Sequence, residues 1–413
     1  MTRLAEHLPD GAADRVALVT RTGTATWGEL LARRPPAEAG ARSGVYEPNS
    51  PALVERLVAE LNGGVVPILA HPRWPRALAE RALDRAGRGR PWRGAPLATL
   101  LFTSGSTAEP KVVAHTLAAH LANARASAER LPFQEGHRWL LSLPLCHVGG
   151  LSLVFRAVVG GATLALPEPG ASLAASLVEL RPTHLSLVPT QLRALLDDPS
   201  LAAALARLEG LLVGGGPCPP EWVAEARAAG VPVRTTYGST ECASQVATSR
   251  VDDPPSAARP LPGVELAFDE AGELRVRTPS LFAGYLEDDR LRTPFEDGWF
   301  PTGDLGRIDA EGRLELVGRR DNQFVSGGEN VQPEAIEAAF RARGHEVVVV
   351  GVPDERFGAR PVAFTPDGVS LDALAEELLP DFARPVAWHA LGATDGWKPR
   401  RAELARRARE LGR

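Results

Sequence analysis

Short apolar runs alternate with helix-patterned stretches through most of this chain, and that alternation constrains its fold more than any other feature. The runs 137–143, 184–188 and 208–213 are each followed by a helix-patterned stretch, at 151–159, 190–197 and 220–229, and the last leads into a further run at 231–236. Repeated strand–helix–strand units predict an α/β fold with largely parallel strands, whose sites lie at the carboxyl ends of those strands. From about Gly263 the pattern changes. Segments 264–268, 273–277 and 313–316 read as short strands joined by Gly and Asp turns, a small β-rich subdomain. The polar run Gly318-Arg319-Arg320-Asp321-Asn322 predicts a boundary. Beyond it, a helix opening near Pro333, strands at 346–351 and 360–365, and helices at 371–379 and 402–411 make a compact α+β unit. The expected layout is therefore a large domain over 1–318 and a small one over 319–413. Residues 33–45, rich in Pro, Ala and Gly, read as a surface loop.

Composition narrows the class. A length of 413 residues suits more than one domain, and 44% hydrophobic with 23% charged residues is ordinary for a soluble globular chain. A net charge of -5 argues against nucleic acid as a partner. Cys146, Cys218 and Cys242 are widely spaced and odd in number, which fits neither a disulfide framework nor a zinc site and points to a reducing cytoplasm. Residues 1–20 carry charges and no long apolar block, so no signal peptide is expected, and no apolar run is long enough to span a membrane. Of the basic side chains, 44 are arginine and only Lys111 and Lys398 are lysine. Where lysine survives such a bias, a compact point charge is wanted rather than a planar fork.

Five segments carry chemistry. Leu101-Phe102-Thr103-Ser104-Gly105-Ser106-Thr107-Ala108-Glu109-Pro110-Lys111 follows an apolar strand, and its hydroxyls, amides and lysine suit a phosphate. It is not the GxxxxGK[ST] loop, because Lys111 lies outside the glycine turn. Thr236-Tyr237-Gly238-Ser239-Thr240-Glu241 ends a strand on a carboxylate, which suits magnesium on a nucleotide. In Gly298-Trp299-Phe300-Pro301-Thr302-Gly303-Asp304, an Asp set between glycines and tight turns can accept from two ribose hydroxyls, although capping a turn is its commoner role. The fourth segment joins Gly318–Asp321 to Ser326-Gly327-Gly328-Glu329-Asn330. The fifth is Gly396-Trp397-Lys398-Pro399-Arg400-Arg401, which alone would read as a solvated tail.

Together and in this order, over residues 95–401, these segments resemble the adenylate-forming superfamily of acyl-CoA synthetases, adenylation domains and luciferases. The resemblance implies ATP and magnesium as cofactors, with coenzyme A as co-substrate. It implies a phosphate loop formed by Thr103, Ser104, Gly105, Ser106, Thr107 and Lys111. Glu241 would be the metal ligand, and Gly214, Gly215, Gly216, Tyr237, Gly238 and Thr240 would lie about the nucleotide. Asp304 would hold the ribose hydroxyls with Arg319 near them, Asp321 would be the hinge, and Lys398 the mobile catalytic lysine acting with Thr107 and Glu241. The Gly327, Gly328 and Glu329 face would serve thiol transfer. Three departures stand out: Ala108 occupies a usual glycine position, Trp397 precedes the lysine, and the stretch before the phosphate loop is short.

The stretch His147-Val148-Gly149-Gly150-Leu151-Ser152-Leu153-Val154-Phe155-Arg156 resembles the o-succinylbenzoate–CoA ligases of menaquinone biosynthesis. It puts His147, Gly149 and Arg156 in the acyl pocket, with Arg156 meeting a second substrate carboxylate. The structural alternatives are a satisfied histidine, and an arginine that snorkels to the surface or pairs with an Asp. The rival functions are a benzoate-type or other acyl-CoA ligase, an enzyme loading a carrier protein, and a non-catalytic nucleotide-binding homologue.

Overall fold

The computed structural model describes residues 3–103, 110–392 and 401–411. The chain is α/β and forms two compact units, Met1–Glu265 with Arg277–Phe300, and Leu266–Val276 with Pro301–Arg413.

The first unit contains two sheets. The larger has nine strands in the order Arg259–Pro260, Ser244–Thr248, Val233–Ser239, Gly210–Val213, His184–Leu187, Arg138–Leu140, Thr163–Ala165, Val16–Val19 and Thr24–Thr26. Its interior pairings are parallel and its edge strands antiparallel. The smaller has six strands in the order Arg290–Arg292, Gly284–Glu287, Lys111–His115, Thr99–Thr103, Val66–Leu69 and Arg42–Val45. The last of these corrects the expected loop at 33–45. Arg42–Val45 pairs in parallel with Val66–Leu69, and Arg42 is buried with its guanidinium 2.6 Å from Asp289. A Pro/Gly-rich lead-in hid a strand whose place is set by its neighbour rather than by its own composition.

One apolar core joins the faces of both sheets. It takes Leu18, Trp139 and Leu164 from the larger and Val45, Leu69 and Leu101 from the smaller, with the helices Pro51–Gly63 and Val148–Gly160 contributing to it. The second helix is apolar except for Ser152 and Arg156, and Gly150 through Val158 are buried, as expected of a helix enclosed on every side. Gly150 cannot be larger, because a Cβ there would lie 2.2 Å from the Pro144 carbonyl oxygen. A second core packs the helices Leu173–Leu180, Pro189–Leu196 and Pro220–Ala228 on the larger sheet, as the strand–helix alternation predicts. A third packs Arg76–Arg85 on the smaller sheet.

The second unit has a sheet ordered Glu265–Phe268, Glu273–Arg277, Phe300–Ile308 and Leu314–Arg319. A further sheet is built on the hairpin Phe324–Ser326/Glu329–Val331 and the antiparallel pair Val348–Asp354/Gly358–Thr365, with Trp388–Ala390 alongside. Pro333–Arg341 and Asp372–Leu378 contribute to one apolar cluster of this unit, and Arg401–Leu411 contributes to another.

That last helix is anchored at its first residue. Arg401 donates to both oxygens of the buried Glu337, at 2.6 and 2.8 Å, and to the carbonyl of Val349. Glu337 also accepts from the Val349 amide at 2.8 Å. Arg401→Ala is expected to destabilise this unit by about 3 kcal/mol, since it strands a buried carboxylate. Hydrogen exchange should quicken in 401–411 before it does elsewhere, and unchanged exchange there would refute the anchoring role.

Candidate active site

The strands Thr99–Thr103 and Lys111–His115 are antiparallel neighbours, with Thr103 paired to Lys111. The predicted phosphate segment therefore joins two antiparallel strands. Ser104, Gly105, Ser106 and Thr107 lie outside the described residues, as does Lys398.

Lys111 extends over a ring the sequence did not single out. Its Nζ lies 5.0 Å from the centroid of Tyr285, and the Tyr285 hydroxyl donates to Glu241 Oε1 at 2.8 Å. Tyr285 comes from Gly284–Glu287, the strand paired with Lys111–His115. One aromatic side chain thus links the predicted phosphate-loop lysine to the predicted metal ligand.

Glu241 sits in the single turn Thr240–Cys242 at the carboxyl end of Val233–Ser239, where the Ser239 hydroxyl accepts from the Cys242 amide. The Glu241 carbonyl accepts from the Phe282 amide at 2.8 Å. The Thr240 carbonyl accepts from His115 Nε2 at 2.7 Å. Burial lowers the His115 pKa to about 4, the bond to Thr240 opposing this in part. The ring is therefore neutral and carries its proton on Nε2. After the turn, Ala243 and Ser244 have φ of 52° and 123°, values that side-chain-bearing residues adopt at a cost and that are held here by their surroundings. Gly238 makes the approach possible, because a Cβ there would meet the Ser244 carbonyl oxygen at 1.8 Å.

The strained turn presents Ser244 to Arg156, whose guanidinium donates to the Ser244 hydroxyl at 3.3 Å. Arg156 also lies 5.3 Å from the ring centroid of Trp139. It is 5% exposed, its Nε has no hydrogen-bond partner, and no carboxylate pairs with it among the described residues. Desolvation lowers its pKa to about 9, so it remains a cation at neutral pH. Burial excludes the snorkelling alternative, and among the described residues no Asp supplies the pairing one. His147 is the N-cap of the same helix, and Gly149 lies in its first turn.

Gly214 follows Gly210–Val213 and packs against Thr236 of the adjacent parallel strand, while Gly215 has φ of 79°. Tyr237 is half-buried on that adjacent strand. The glycines and Tyr237 thus share the carboxyl edge of the larger sheet.

In the second unit, Asp304 is not held by tight turns, as its glycine neighbours suggested. It lies within the strand Phe300–Ile308, paired in register with Arg319. Arg319 donates to Asp304 Oδ1 at 3.0 Å, to the Thr302 carbonyl at 2.9 Å, and to Asp321 Oδ2 at 3.3 Å. Asp304, Arg319 and Asp321 therefore form one ion-paired group. Gly327 and Gly328, with φ of 61° and 91°, make the two-residue turn of a hairpin in which Ser326 faces Glu329.

Residues 88–286 match the AMP-binding enzyme family. The chain is 36% identical over 316 residues to a 2-succinylbenzoate–CoA ligase of Bacillus pumilus, and 37% identical over 308 residues to one of Escherichia coli. These matches cover 71% and 73% of this chain. The chain belongs to the AMP-binding, adenylate-forming family. It spans about two thirds of the length of these curated relatives, 64% and 66% respectively. Its fold superposes on the o-succinylbenzoate CoA synthetase of Bacillus subtilis in complex with an acyl-adenylate intermediate, with a TM-score of 0.87 at 26% identity over 98% of both chains. An Escherichia coli MenE protein with a bound analogue gives 0.82 at 29%, covering 99% of this chain and 100% of that one.

Seen as a member of this family, the chain's own additions to the expected site are Tyr285, Ser244, Trp139 and His115. None sits in a segment whose composition points to chemistry. Each becomes visible only through a contact with Glu241, Thr240 or Arg156.

Proposed function

We propose that this chain is an ATP-dependent acid–thiol ligase that converts o-succinylbenzoate to its coenzyme A thioester through an acyl-adenylate, in the cytoplasm, for menaquinone biosynthesis. The observation that carries the reading is Arg156, a buried guanidinium with no acidic partner among the described residues. A dicarboxylate, with one carboxylate to activate and one to be gripped, supplies the missing anion. The names of the relatives support the same substrate. Among the described residues no helix is long and apolar enough to cross a membrane.

Adenylation needs no protein nucleophile. A substrate carboxylate oxygen attacks the α-phosphorus, the bond to the bridging oxygen breaks, and pyrophosphate leaves with the electron pair. The protein's task is to hold two anions together and stabilise the charge growing on phosphate oxygens. We assign the phosphates to Thr103, Ser104, Gly105, Ser106, Thr107 and Lys111. The adenine side falls to Gly214–Gly216, Tyr237, Gly238 and Thr240, and the ribose to Asp304 and Arg319. A magnesium ion, as in the Bacillus subtilis structure with ATP, supplies charge neutralisation when bound. Glu241 fits it, because Tyr285 takes Oε1 and leaves Oε2 without a partner among the described residues. In the second step the thiol sulfur of coenzyme A attacks the acyl carbonyl, its proton is lost and AMP departs. We place the hinge for that step at Asp321, with 319–413 as the mobile domain and Gly327–Glu329 as the thiol-transfer face.

Tyr285→Phe is expected to raise the magnesium concentration needed for half-maximal adenylation roughly tenfold, the loss of one hydrogen bond to a charged group. An unchanged requirement would remove Tyr285 from the site.

The test of the whole reading is mass spectrometry of products after incubation with ATP, magnesium, coenzyme A and o-succinylbenzoate, with benzoate and a fatty acid in parallel. Dominant o-succinylbenzoyl-CoA supports it. AMP release with another acid keeps the mechanism and discards the substrate. No AMP with any acid would leave a nucleotide-binding protein without this activity.

A further inference from the structure

We infer that His71, Cys146 and His147 form a binding site for a thiophilic divalent cation of the zinc class. His71 follows the strand Val66–Leu69, and Cys146 and His147 precede the helix Val148–Gly160, so two segments of the first unit converge. Their ligand atoms all lie within 4.8 Å of one another, and the two imidazole rings are 5.2 Å apart. A tetrahedral ion with nitrogen at about 2.0–2.1 Å and sulfur at about 2.3 Å needs ligand atoms about 3.5 Å apart. Closing the cluster therefore takes a shift of about 1 Å in the ligand atoms.

The donor set defines the cation. Two imidazoles and a thiolate suit zinc or cobalt and reject magnesium, which prefers oxygen. The Cys146 thiol is buried and free of any disulfide. His71 Nδ1 accepts from the exposed Arg73 amide at 3.1 Å, and binding costs that one bond or a turn of the ring. Desolvation lowers the pKa of both imidazoles, which keeps a lone pair on each at neutral pH. The same burial pushes the thiol up to about 12, so the ion itself must drive off the proton. Binding releases that proton to solvent and forms a sulfur–metal bond, which makes the affinity rise with pH. Three protein ligands leave a fourth position open.

If His147 lines the acyl pocket, which rests on the function proposed above, an ion held here competes with the acid. Zinc then acts as an inhibitor that a chelator relieves.

The test is a cobalt titration of the full chain, reduced, chelator-treated and free of nucleotide. The expected result is a near-ultraviolet sulfur-to-cobalt charge-transfer band that saturates at about one equivalent and is bleached by zinc, as a single thiolate-containing site requires. Cys146→Ser should abolish the band, and His71→Ala should weaken cobalt binding at least about tenfold. No band, or a band that survives Cys146→Ser, overturns the site. In the ligase assay with saturating magnesium, zinc should inhibit the parent chain at concentrations that spare His71→Ala, and equal inhibition of both overturns the competition. The cobalt spectrum needs no acyl substrate, so failure of the metal site and failure of the ligase assignment are read separately.

Discussion

Replacing Arg156 by leucine is expected to make the protein more stable and a far worse enzyme for a dicarboxylate. The two effects have one cause. Arg156 is 5% exposed, and among the described residues its charge meets only the Ser244 hydroxyl at 3.3 Å and the Trp139 ring face at 5.3 Å. Neither replaces the water lost on burial, and the cost is visible in a pKa lowered by desolvation to about 9. Leucine, apolar though shorter, removes that penalty, and replacing buried charged groups by apolar residues gains about 1–3 kcal/mol. At about 2–4 °C per kcal/mol for a unit of this size, the melting temperature should rise by several degrees. The same substitution leaves the second carboxylate of the substrate unpaired. That loss is about 2–5 kcal/mol, at least about 30-fold in kcat/KM, and it should fall mainly on KM. Benzoate, which has no second carboxylate, should not be affected. An unaltered KM for o-succinylbenzoate would take Arg156 out of the acyl pocket, and a lowered melting temperature would mean that its charge is paired.

Lys398→Ala should reduce adenylate formation by about two to three orders of magnitude while sparing thioester formation from a pre-formed acyl-adenylate. Lysine is nearly excluded from this chain, which nevertheless keeps one in Gly396-Trp397-Lys398. A compact ammonium can approach the α-phosphate between other groups, and the wide guanidinium cannot. Lys398→Arg should therefore rescue little, even though it preserves the charge. The two half-reactions are separated by following pyrophosphate release and, in a second assay, consumption of synthetic acyl-adenylate. An unchanged adenylation rate in Lys398→Ala would sink the mechanism. Equal losses in both half-reactions would argue against a lysine that withdraws before thiol transfer.

Much of the proposed site is legible in the amino-acid order because the chemistry expected of it is local. Hydroxyls and a glycine suited to a phosphate, a carboxylate at a strand end and a turn of two glycines each occupy a handful of consecutive residues. The core is legible for a related reason, since burial follows from side-chain periodicity within one element. Residues 33–45 show where that reading stops. The composition of that stretch favours a loop, yet Arg42–Val45 is held as a strand by pairing with Val66–Leu69 and by the ion pair of Arg42 with Asp289. Asp304 fails in the same way, because its glycine neighbours suggest turns and the pairing with Arg319 makes a strand.

The α/β class, the family resemblance and the identities of the groups expected to handle phosphate, metal and acid all follow from the order of residues. What those groups face does not, and folding alone settles it. Tyr285 reaches Glu241 across 44 residues, and Ser244 reaches Arg156 across 88. His71 meets Cys146 and His147 from a different segment of the chain, where the cysteine spacing held no hint of a metal site. A charge's worth depends on its desolvation and on its partners, and both are set by segments far apart in the chain that the fold brings together. The residue type of Arg156 can be read from the sequence, but its burial away from any described counter-ion cannot.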